Sequence, residues 1–546
     1  FLFASILGIW LLTKSWLPEG YVIAGHDSGL ALDAINFTKS RFFAWDGQGF
    51  GADNSPHFGS IILHTLDSLT SYLVGAPYSG NHLNVFLWLS LLFVSSFIFS
   101  SQLRHKFGNL FTYIFPVLFT FNFYLFQSLF VLERAKYAIT IASLFILLFS
   151  IKVMEKKLTP ILAAALSLIV LFFFNSGSWL GAPLYGGLAV MVLGVVVYSI
   201  LLAISNKEMG ILKRTLFYFF LVAVGFFIVN AYSIFPYALT FLNRDYATLV
   251  SGDVILQNKA WLENLSQASS FLNIFRQVAT PDWYAAKDQV NLTHPYASDY
   301  LSNPVFIIFS FIIAGVGFYS FYLARSKEQR KLLGLFGILV LFSVPFMAGS
   351  HTPFGSIYEL IYKYVPGFSI FRSPYYKFGY PFFIGFGALL AYSLSELANK
   401  FSRKTALGGA IIYFLFVTFW FSYHKIIFNP EKVFTWQKGY STRLRVPKYV
   451  DDFKNAINQE EYENARILLI PGANENWRND AYAWGYWSLT PLHALIGSNT
   501  SFLLNTYLPV EEKAWIDTVY RNIKDKNGNE TLRLSKILGI KYFLLR

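Results

Sequence analysis

The sequence predicts a mainly α fold: a polytopic transmembrane bundle of about eleven helices with a small α/β domain after it. Three observations predict it. Of the 546 residues, 55% are hydrophobic and only 14% charged, where soluble domains carry roughly 25% charged residues. Apolar runs of spanning length recur near 1–16, 83–103, 107–121, 135–153, 158–174, 183–205, 211–230, 304–324, 331–348, 375–395 and 405–424. Basic residues then fall in every second connection between those runs.

Those connections carry Arg104/Lys106, Lys152/Lys156/Lys157, Lys207/Lys213/Arg214, Arg325/Lys327/Arg330/Lys331 and Lys400/Arg403/Lys404. The positive-inside bias makes all five cytoplasmic. Segments 17–82, 231–303, 349–374 and the residues after 425 are then outside. The chain is expected to divide into a transmembrane domain, 1–425, carrying outside loops 17–82 and 231–303, and an extracytoplasmic α/β domain, 426–546. A net charge of +13 spread through short loops faces anionic lipid and gives no reason to expect a nucleic-acid partner. The chain has no cysteine, so disulfides and thiolate metal sites are excluded.

Taken in order, the opening Phe1-Leu-Phe-Ala-Ser5 lies inside an apolar run, read as a truncated first membrane helix. No small-residue cleavage site follows, which argues against a signal peptide. The first outside loop holds His26-Asp27-Ser28, Arg41-Phe-Phe-Ala-Trp45-Asp46-Gly and Asp53-Asn54-Ser55. Within it, Ile61 to Val74 spaces apolar residues as an amphipathic helix lying along the membrane interface, with His64 and Asp67 on another face. The second outside loop sets Asp245, Asp253, Glu263, Asp282, Asp288 and Asp299 among Trp261, Trp283 and Tyr284, without a clear fold. After Phe428 the composition turns charged. Lys448–Tyr462 reads as a helix, Ala465–Ile470 as a buried strand, and Leu534–Arg546 as a short helix and then a strand; this domain is expected to be incomplete.

Carboxylates gathered in one outside loop of an otherwise apolar chain mark the candidate chemistry. Nucleotide sugars and ATP are cytoplasmic, so sugar transfer outside draws on a sugar carried by a polyprenyl phosphate. The phosphate already leaves well. The reaction needs one carboxylate to accept a proton and cations to hold the lipid phosphate. A base opposite the leaving group inverts the sugar carbon. Asp27, between Gly25 and Gly29, suits the base; the competing reading makes it the N-cap of a helix through Leu30–Thr38. Asp46 is the second candidate, and Trp45-Asp46-Gly47 equally reads as a tight turn. His26 would assist or bind a metal, but no metal-ligand spacing is evident; no cofactor is called for, and a divalent metal stays open. Arg372 and Lys377, at the outside end of a membrane helix, would hold the phosphate or simply snorkel. Trp45, Trp283, Trp477, Trp484 and Trp487 would stack on sugars or anchor at the interface. Gly47-Gln-Gly-Phe-Gly51 and Gly186-Gly187 are not nucleotide loops.

Three stretches carry a resemblance. With a long first outside loop carrying an Asp after helix one, many helices, a second large outside loop and an outside tail, the chain resembles the GT-C superfamily of polyprenyl-phosphate-dependent glycosyltransferases; the stretches are Asp27…Trp45-Asp46-Gly…Gly51, Asn230-Ala-Tyr-Ser-Ile-Phe-Pro236 and Pro366-Gly-Phe-Ser-Ile-Phe-Arg372-Ser-Pro. Within it they are similar to the alpha-(1->3)-arabinofuranosyltransferase and YfhO-type bacterial membrane proteins, and Leu538-Gly-Ile-Lys-Tyr-Phe-Leu-Leu545 resembles the end of a YfhO-type outer domain. The resemblance implies a lipid-linked sugar donor, a glycan or lipid acceptor, and the first-loop acid, here Asp27, as base. At Ser28-Gly29-Leu30 the chain departs from the Thr-Lys of arabinofuranosyltransferases, so the arabinose donor does not carry over. The rival from another class is a transporter or flippase of lipid-linked glycans, which would place ionisable residues near the midplane.

The alternation of basic loops generates a topology prediction. Reporters inserted within Arg325–Lys331 report the cytoplasm, and reporters after Phe428 report the outside. A cytoplasmic tail would remove the outside reading of the first loop as well.

Overall fold

The computed structural model describes the chain except for residues 27–29, 44, 47–49, 51, 54, 75–79, 176–181, 244–251, 282–296, 366, 401–427, 438–439, 458–464, 473–479, 489–491, 493–495, 497–500, 505–509 and 546. It forms two compact units. One comprises Phe1–Trp16, Val85–Leu129 and Glu133–Gly439; the other comprises Leu17–Asn84, Phe130–Leu132 and Tyr440–Arg546.

The first unit is the helical bundle. Among the described residues, eight helices are long and apolar enough to span a membrane: Asn81–Gln102, Asn109–Phe130, Arg134–Met154, Tyr185–Asn206, Gly210–Val229, Pro304–Leu323, Lys327–Ala348 and Pro374–Lys400. Two shorter apolar helices, Leu2–Trp16 (α1) and Pro160–Phe173, fall on two further expected runs. The expected run 405–424 lies outside the described residues. Helix starts follow local chemistry. Thr159 caps Leu162 N–H with Pro160 in the first turn, and Ser326 and Gln329 form a reciprocal capping box. Outward faces carry Ile169, Phe173, Phe227, Ile228, Ile308 and Leu341, all exposed. Lipid, whose tails are as apolar as these side chains, accounts for such a surface and water does not. The protein is a multi-pass membrane protein.

Small residues let the helices approach. A Cβ on residue 187 would lie 2.6 Å from the Tyr380 ring and 2.8 Å from the Lys377 carbonyl oxygen. The Gly186-Gly187 pair therefore serves close packing against the Pro374–Lys400 helix.

The basic connections meet at one end of this bundle. Lys106 and Lys157 pair with Glu155, the latter at 2.7 Å; Lys156 and Arg214 pair with Glu208 at 2.9 and 3.2 Å; Arg325 pairs with Glu396 at 3.1 Å. Lys331 Nζ donates to Asn206 Oδ1 at 2.6 Å, and Gln329 Nε2 donates to the Lys106 carbonyl at 2.9 Å. Four connections far apart in sequence are thus stitched together.

The second unit joins the first loop to the C-terminal residues. The strand Tyr21–Ile23 (β1) pairs antiparallel with Arg443–Arg445 (β6), in the register Tyr21↔Arg445, Val22↔Leu444 and Ile23↔Arg443. Between them in sequence lie the short strands Trp45–Asp46 (β2), Ala52–Asp53 (β3), Thr435–Gln437 (β4) and Tyr440–Ser441 (β5). A parallel three-stranded sheet follows, ordered β10-β7-β11, from Arg466–Ile470 (β7), Ser501–Leu503 (β10) and Ile540–Leu545 (β11). A last hairpin pairs Asp480–Ala481 (β8) with Trp487–Ser488 (β9). Both faces of β7 are buried, as a parallel strand requires. Leu468 meets Ile516 and Val519, while Ile467 and Leu469 join a core that also takes Val22, Ala24 and Leu32 from the first loop. The expected helix, strand and terminal helix–strand of the C-terminal region are present, as Lys448–Ile457, β7, Gly528–Ile537 and β11.

The first loop carries two helices, Ala34–Ser40 (α2) and Ile61–Val74 (α3). Asp67 is buried on α3 and accepts a bond from Asn84 Nδ2, whereas Leu69, Tyr72 and Leu73 are exposed.

The stitched end yields a pH-dependent prediction. Burial opposes ionisation of Glu155, but hydrogen bonds from Lys106 and Lys157 outweigh it and hold the carboxyl below its ordinary value. A depressed carboxylate stabilises the fold fully above its ordinary pKa and loses that contribution as pH falls through the folded value. Glu155→Gln therefore lowers stability at pH 7 by about 1–2 kcal/mol, an amount reduced by partial exposure. It also flattens the acid limb of the thermal unfolding midpoint measured in detergent. A variant with the parent's midpoint and the parent's acid limb would count against the network.

Candidate functional site

In the second unit, the approach to Asp27 is unusually constrained. Ala24 N–H donates to the Thr442 carbonyl at 2.9 Å, continuing the β1–β6 ladder. Gly25 and His26 then take φ of +86° and +48°, two successive left-handed residues. Glycine accepts that conformation freely, histidine at a cost. At position 25 even the room is missing, since a Cβ would lie 2.8 Å from the Trp487 carbonyl oxygen. His26 N–H donates to Trp487 O at 2.5 Å, and Ser488 Oγ donates to His26 O at 2.7 Å. The imidazole stands edge-on to Phe130 at 5.3 Å and tilts over Trp487 at 5.8 Å. Phe130 in turn accepts a bond from Thr442 Oγ1.

Asp27 itself lies outside the described residues. What surrounds it in sequence changes one expectation. The helix after it begins at Ala34, and its N-cap is Asp33, whose side chain accepts from Asn36 N–H at 3.1 Å. Asp33 also pairs with Lys454 at 2.6 Å. The capping role expected for Asp27 therefore belongs to Asp33, because the helix starts one turn later than the apolar spacing suggested.

Of the other loop candidates, Trp45 and Asp46 form β2, paired with Asp53 and Ala52 of β3. This hairpin flanks residues 47–51, of which 47–49 and 51 lie outside the described residues. Trp283, Tyr284 and Trp477 lie outside them too. Trp484 packs with Tyr482 and Tyr486 against the C-terminal core, and burial, aided by Tyr449, pushes the Tyr482 hydroxyl up to about 12. Among the described residues no three His, Asp or Glu side chains gather into a metal site.

The expected cations are in the first unit. Arg372 is exposed after the turn Phe368–Phe371; its guanidinium lies 5.8 Å from the Trp261 ring, and Trp261 Nε1 donates to Ser373 Oγ at 3.3 Å. Burial pushes the neighbouring Tyr362 hydroxyl up to about 12, with Arg372 working the other way. Lys377 is half-buried, one turn into the Pro374–Lys400 helix, at the end opposite Glu396. Arg372 and Lys377 thus share one helix end, where backbone N–H groups favour anions.

The same end holds a cation not anticipated from the sequence. Lys136 is 1% exposed in the first turn of the Arg134–Met154 helix. Its Nζ donates to Tyr124 O at 3.0 Å and Ser128 Oγ at 2.7 Å and lies 3.8 Å from the Tyr124 ring and 5.3 Å from the Tyr376 ring. Tyr124 OH donates to the Tyr376 carbonyl at 2.6 Å. Lys136 therefore ties the start of one span to the segment beside Lys377. A lysine inside an otherwise apolar run was the available signal; placing the helix start at 135 treated it as an edge residue.

No protein-family profile and no curated protein matches the chain. Solved structures do. The chain is similar to the cryo-EM structure of the arabinofuranosyltransferase AftD from Mycobacteria, with a TM-score of 0.62 and 15% identity over 100% of this chain and 35% of that one. A mutant of that enzyme matches with a TM-score of 0.51 and 16% identity over 95% of this chain and 34% of that one. The chain spans about a third of the length of these structures. At such identity the likeness is one of fold: a bundle of apolar helices with a small strand-containing C-terminal region.

The Lys136 tie predicts energetic coupling. Lys136→Met and Ser128→Ala each lower stability in detergent, and a double-mutant cycle gives a coupling of about 1 kcal/mol. Additive losses would show that the bond contributes nothing of its own.

Proposed function

We propose that this protein is an integral membrane glycosyltransferase that moves a sugar from a polyprenyl-phosphate donor to a glycan or lipid acceptor outside the cytoplasm. Asp27 takes the proton of the acceptor hydroxyl as its oxygen bonds to the anomeric carbon. The bond from that carbon to the phosphate breaks, and the polyprenyl phosphate departs with the electron pair. Attack opposite the leaving group inverts the centre. Arg372 and Lys377 hold the lipid phosphate, Arg372 by its planar fork. His26 and Trp45 flank the substrate.

The observation that carries this reading is a fold shared along the whole chain with a membrane glycosyltransferase. The assignment of helix capping to Asp33 supports Asp27 as base, because the competing structural use of Asp27 falls away. The placement of charge supports an enzyme over a transporter. In the described spans the acidic residues are Glu328 and Glu396, both at the end that holds the basic connections and neither near the midplane. Within the superfamily, Pro366–Arg372 and the terminal strand support a place beside the arabinofuranosyltransferase and YfhO-type proteins.

The test is release of polyprenyl phosphate with formation of a glycosylated acceptor, in detergent or liposomes. Asp27→Asn leaves a folded protein that binds donor but transfers at least about 10²-fold more slowly. Asp46→Asn loses less, and Arg372→Ala raises KM for the donor more than Arg372→Lys does. Normal turnover by folded Asp27→Asn would take Asp27 out of the chemistry. Lipid-linked glycan movement without any transfer by the parent protein would replace the enzyme with a transporter.

A further inference from the structure

We propose that the segment from Ser266 to Val278, within the second large loop, is a re-entrant element that dips into the bilayer and presents Leu272 to lipid acyl chains. It starts at the end of the bundle opposite the basic connections. Ser266 Oγ accepts from Ser350 N–H at 3.2 Å, just past the end of the Lys327–Ala348 span. Five residues earlier, Trp261 Nε1 donates to Ser373 Oγ, beside the start of the Pro374–Lys400 span.

From there the chain descends. Arg276 Nε donates to Ser310 Oγ at 2.8 Å, and the guanidinium lies 5.1 Å from the Phe311 ring. Those two residues are about 9–10 Å along the Pro304–Leu323 helix from its start, at about 1.5 Å per residue. The Phe275 ring packs at 5.5 Å on Phe318 and at 6.1 Å on Phe382. Phe318 is about 21 Å along the first of these helices, and Phe382 about 12 Å along the Pro374–Lys400 helix. A hydrocarbon core is about 30 Å thick, so Phe275 lies well inside it. Gln277, left-handed at φ +61°, then turns the chain back. By Ala297–Ser302 it is again at the start of the Pro304–Leu323 span, next to the capping residue Asn303.

Two properties of the segment fit that depth. Backbone inside lipid must satisfy its own hydrogen bonds. Ser270 Oγ accepts from Asn273 N–H at 3.2 Å, at the start of the short helix Phe271–Phe275. Gln277 and Val278 N–H donate to the Ile274 and Asn273 carbonyls at 2.9 Å each, and Asn273 Nδ2 reaches the Ala268 carbonyl at 3.0 Å. Arg276 is partnered in the same way, by Ser310 and, at 3.4 Å, by Asn273 Oδ1, as an arginine at membrane depth requires. The second property is the surface. Leu272 is 64% exposed, one helical turn before Arg276 and on the same face. Phe311, beside that arginine, is exposed together with Val305, Ile308 and Ile312 on the face that the span turns to lipid. Leu272 therefore continues a surface whose solvent is lipid, and acyl chains are its occupant.

The test uses the full chain in lipid nanodiscs, where solvent reaches both faces. The protein has no cysteine, so Leu272→Cys carries a single bimane label. The references are Ile308→Cys, about 6 Å into a lipid-facing span, and Lys259→Cys, exposed ahead of the entry point. Lipids with a nitroxide high on the acyl chain quench the label at 272 within about twofold of that at 308, and at least about fivefold more than at 259. A membrane-impermeant maleimide modifies residue 272 at least about tenfold more slowly than residue 259. Leu272→Asp lowers the thermal unfolding midpoint in nanodiscs, whereas a water-facing exposed leucine would tolerate the change. If the labelled variants do not fold, photolysis of a lipid with a diazirine on its acyl chain crosslinks the peptide holding Leu272 in the parent protein. Quenching and maleimide reactivity at 272 equal to those at 259 overturn the proposal and return the segment to water. An unmoved midpoint in Leu272→Asp, or a crosslink confined to the spans, does the same. Protection from maleimide without lipid quenching overturns it in favour of a contact with a second copy of the chain.

Discussion

Lipid offers no hydrogen bonds to a peptide group, and the first unit follows from that constraint. Its spans are helices because a helix satisfies its own backbone. Its charges are driven to the ends, and at one end they pair with each other: Lys106 and Lys157 with Glu155, Lys156 and Arg214 with Glu208, and Arg325 with Glu396. The more exposed of these pairs, such as Lys156 with Glu208, contribute little singly. Here the pairs join residues up to 71 positions apart, and the Gln329–Lys106 bond joins residues 223 apart, so together they also fix which helix ends lie together. The opposite end keeps its cations for a different purpose. Lys136 is enclosed by Tyr124, Ser128 and Tyr376 and braces the start of a span, whereas Arg372 stays exposed over Trp261.

The second unit solves a different problem. A loop of some seventy residues with several carboxylates has to be held in one conformation against its chain entropy. Val22, Ala24 and Leu32 settle by entering the core built by the C-terminal residues, alongside Leu444, Ile467 and Phe502. The β1–β6 ladder fixes their register. The acids of the loop then divide by task. Asp33 caps α2 and pairs with Lys454, and Asp67 is bound to Asn84. The segment leading to Asp27 is instead held in a strained backbone between β6 and β9, the kind of arrangement that proteins retain at working sites. The first loop and the C-terminal residues form one compact unit, because the C-terminal strands supply the frame on which the first loop is built.

The sequence by itself determined the class, the spans and the grouping of the basic connections. Hydropathy acts over a single helix length, and the exclusion of charge from lipid acts on each residue independently, so both can be read from a linear string. It also located the strand at Ala465–Ile470 and the helix at Ile61–Val74, whose patterns are local. Only the tertiary structure decided that Asp33 rather than Asp27 caps α2, that Lys136 is a buried tie, and that Thr442, Trp487 and Ser488 hold the backbone before Asp27. Each of these depends on partners brought together by the fold: residue 33 with 454, residue 136 with 376, residue 26 with 488. A carboxylate in a loop looks the same in sequence whether it caps a helix, pairs with a lysine or takes a proton. What separates those roles is the three-dimensional neighbour, and a single sequence without its fold does not contain it.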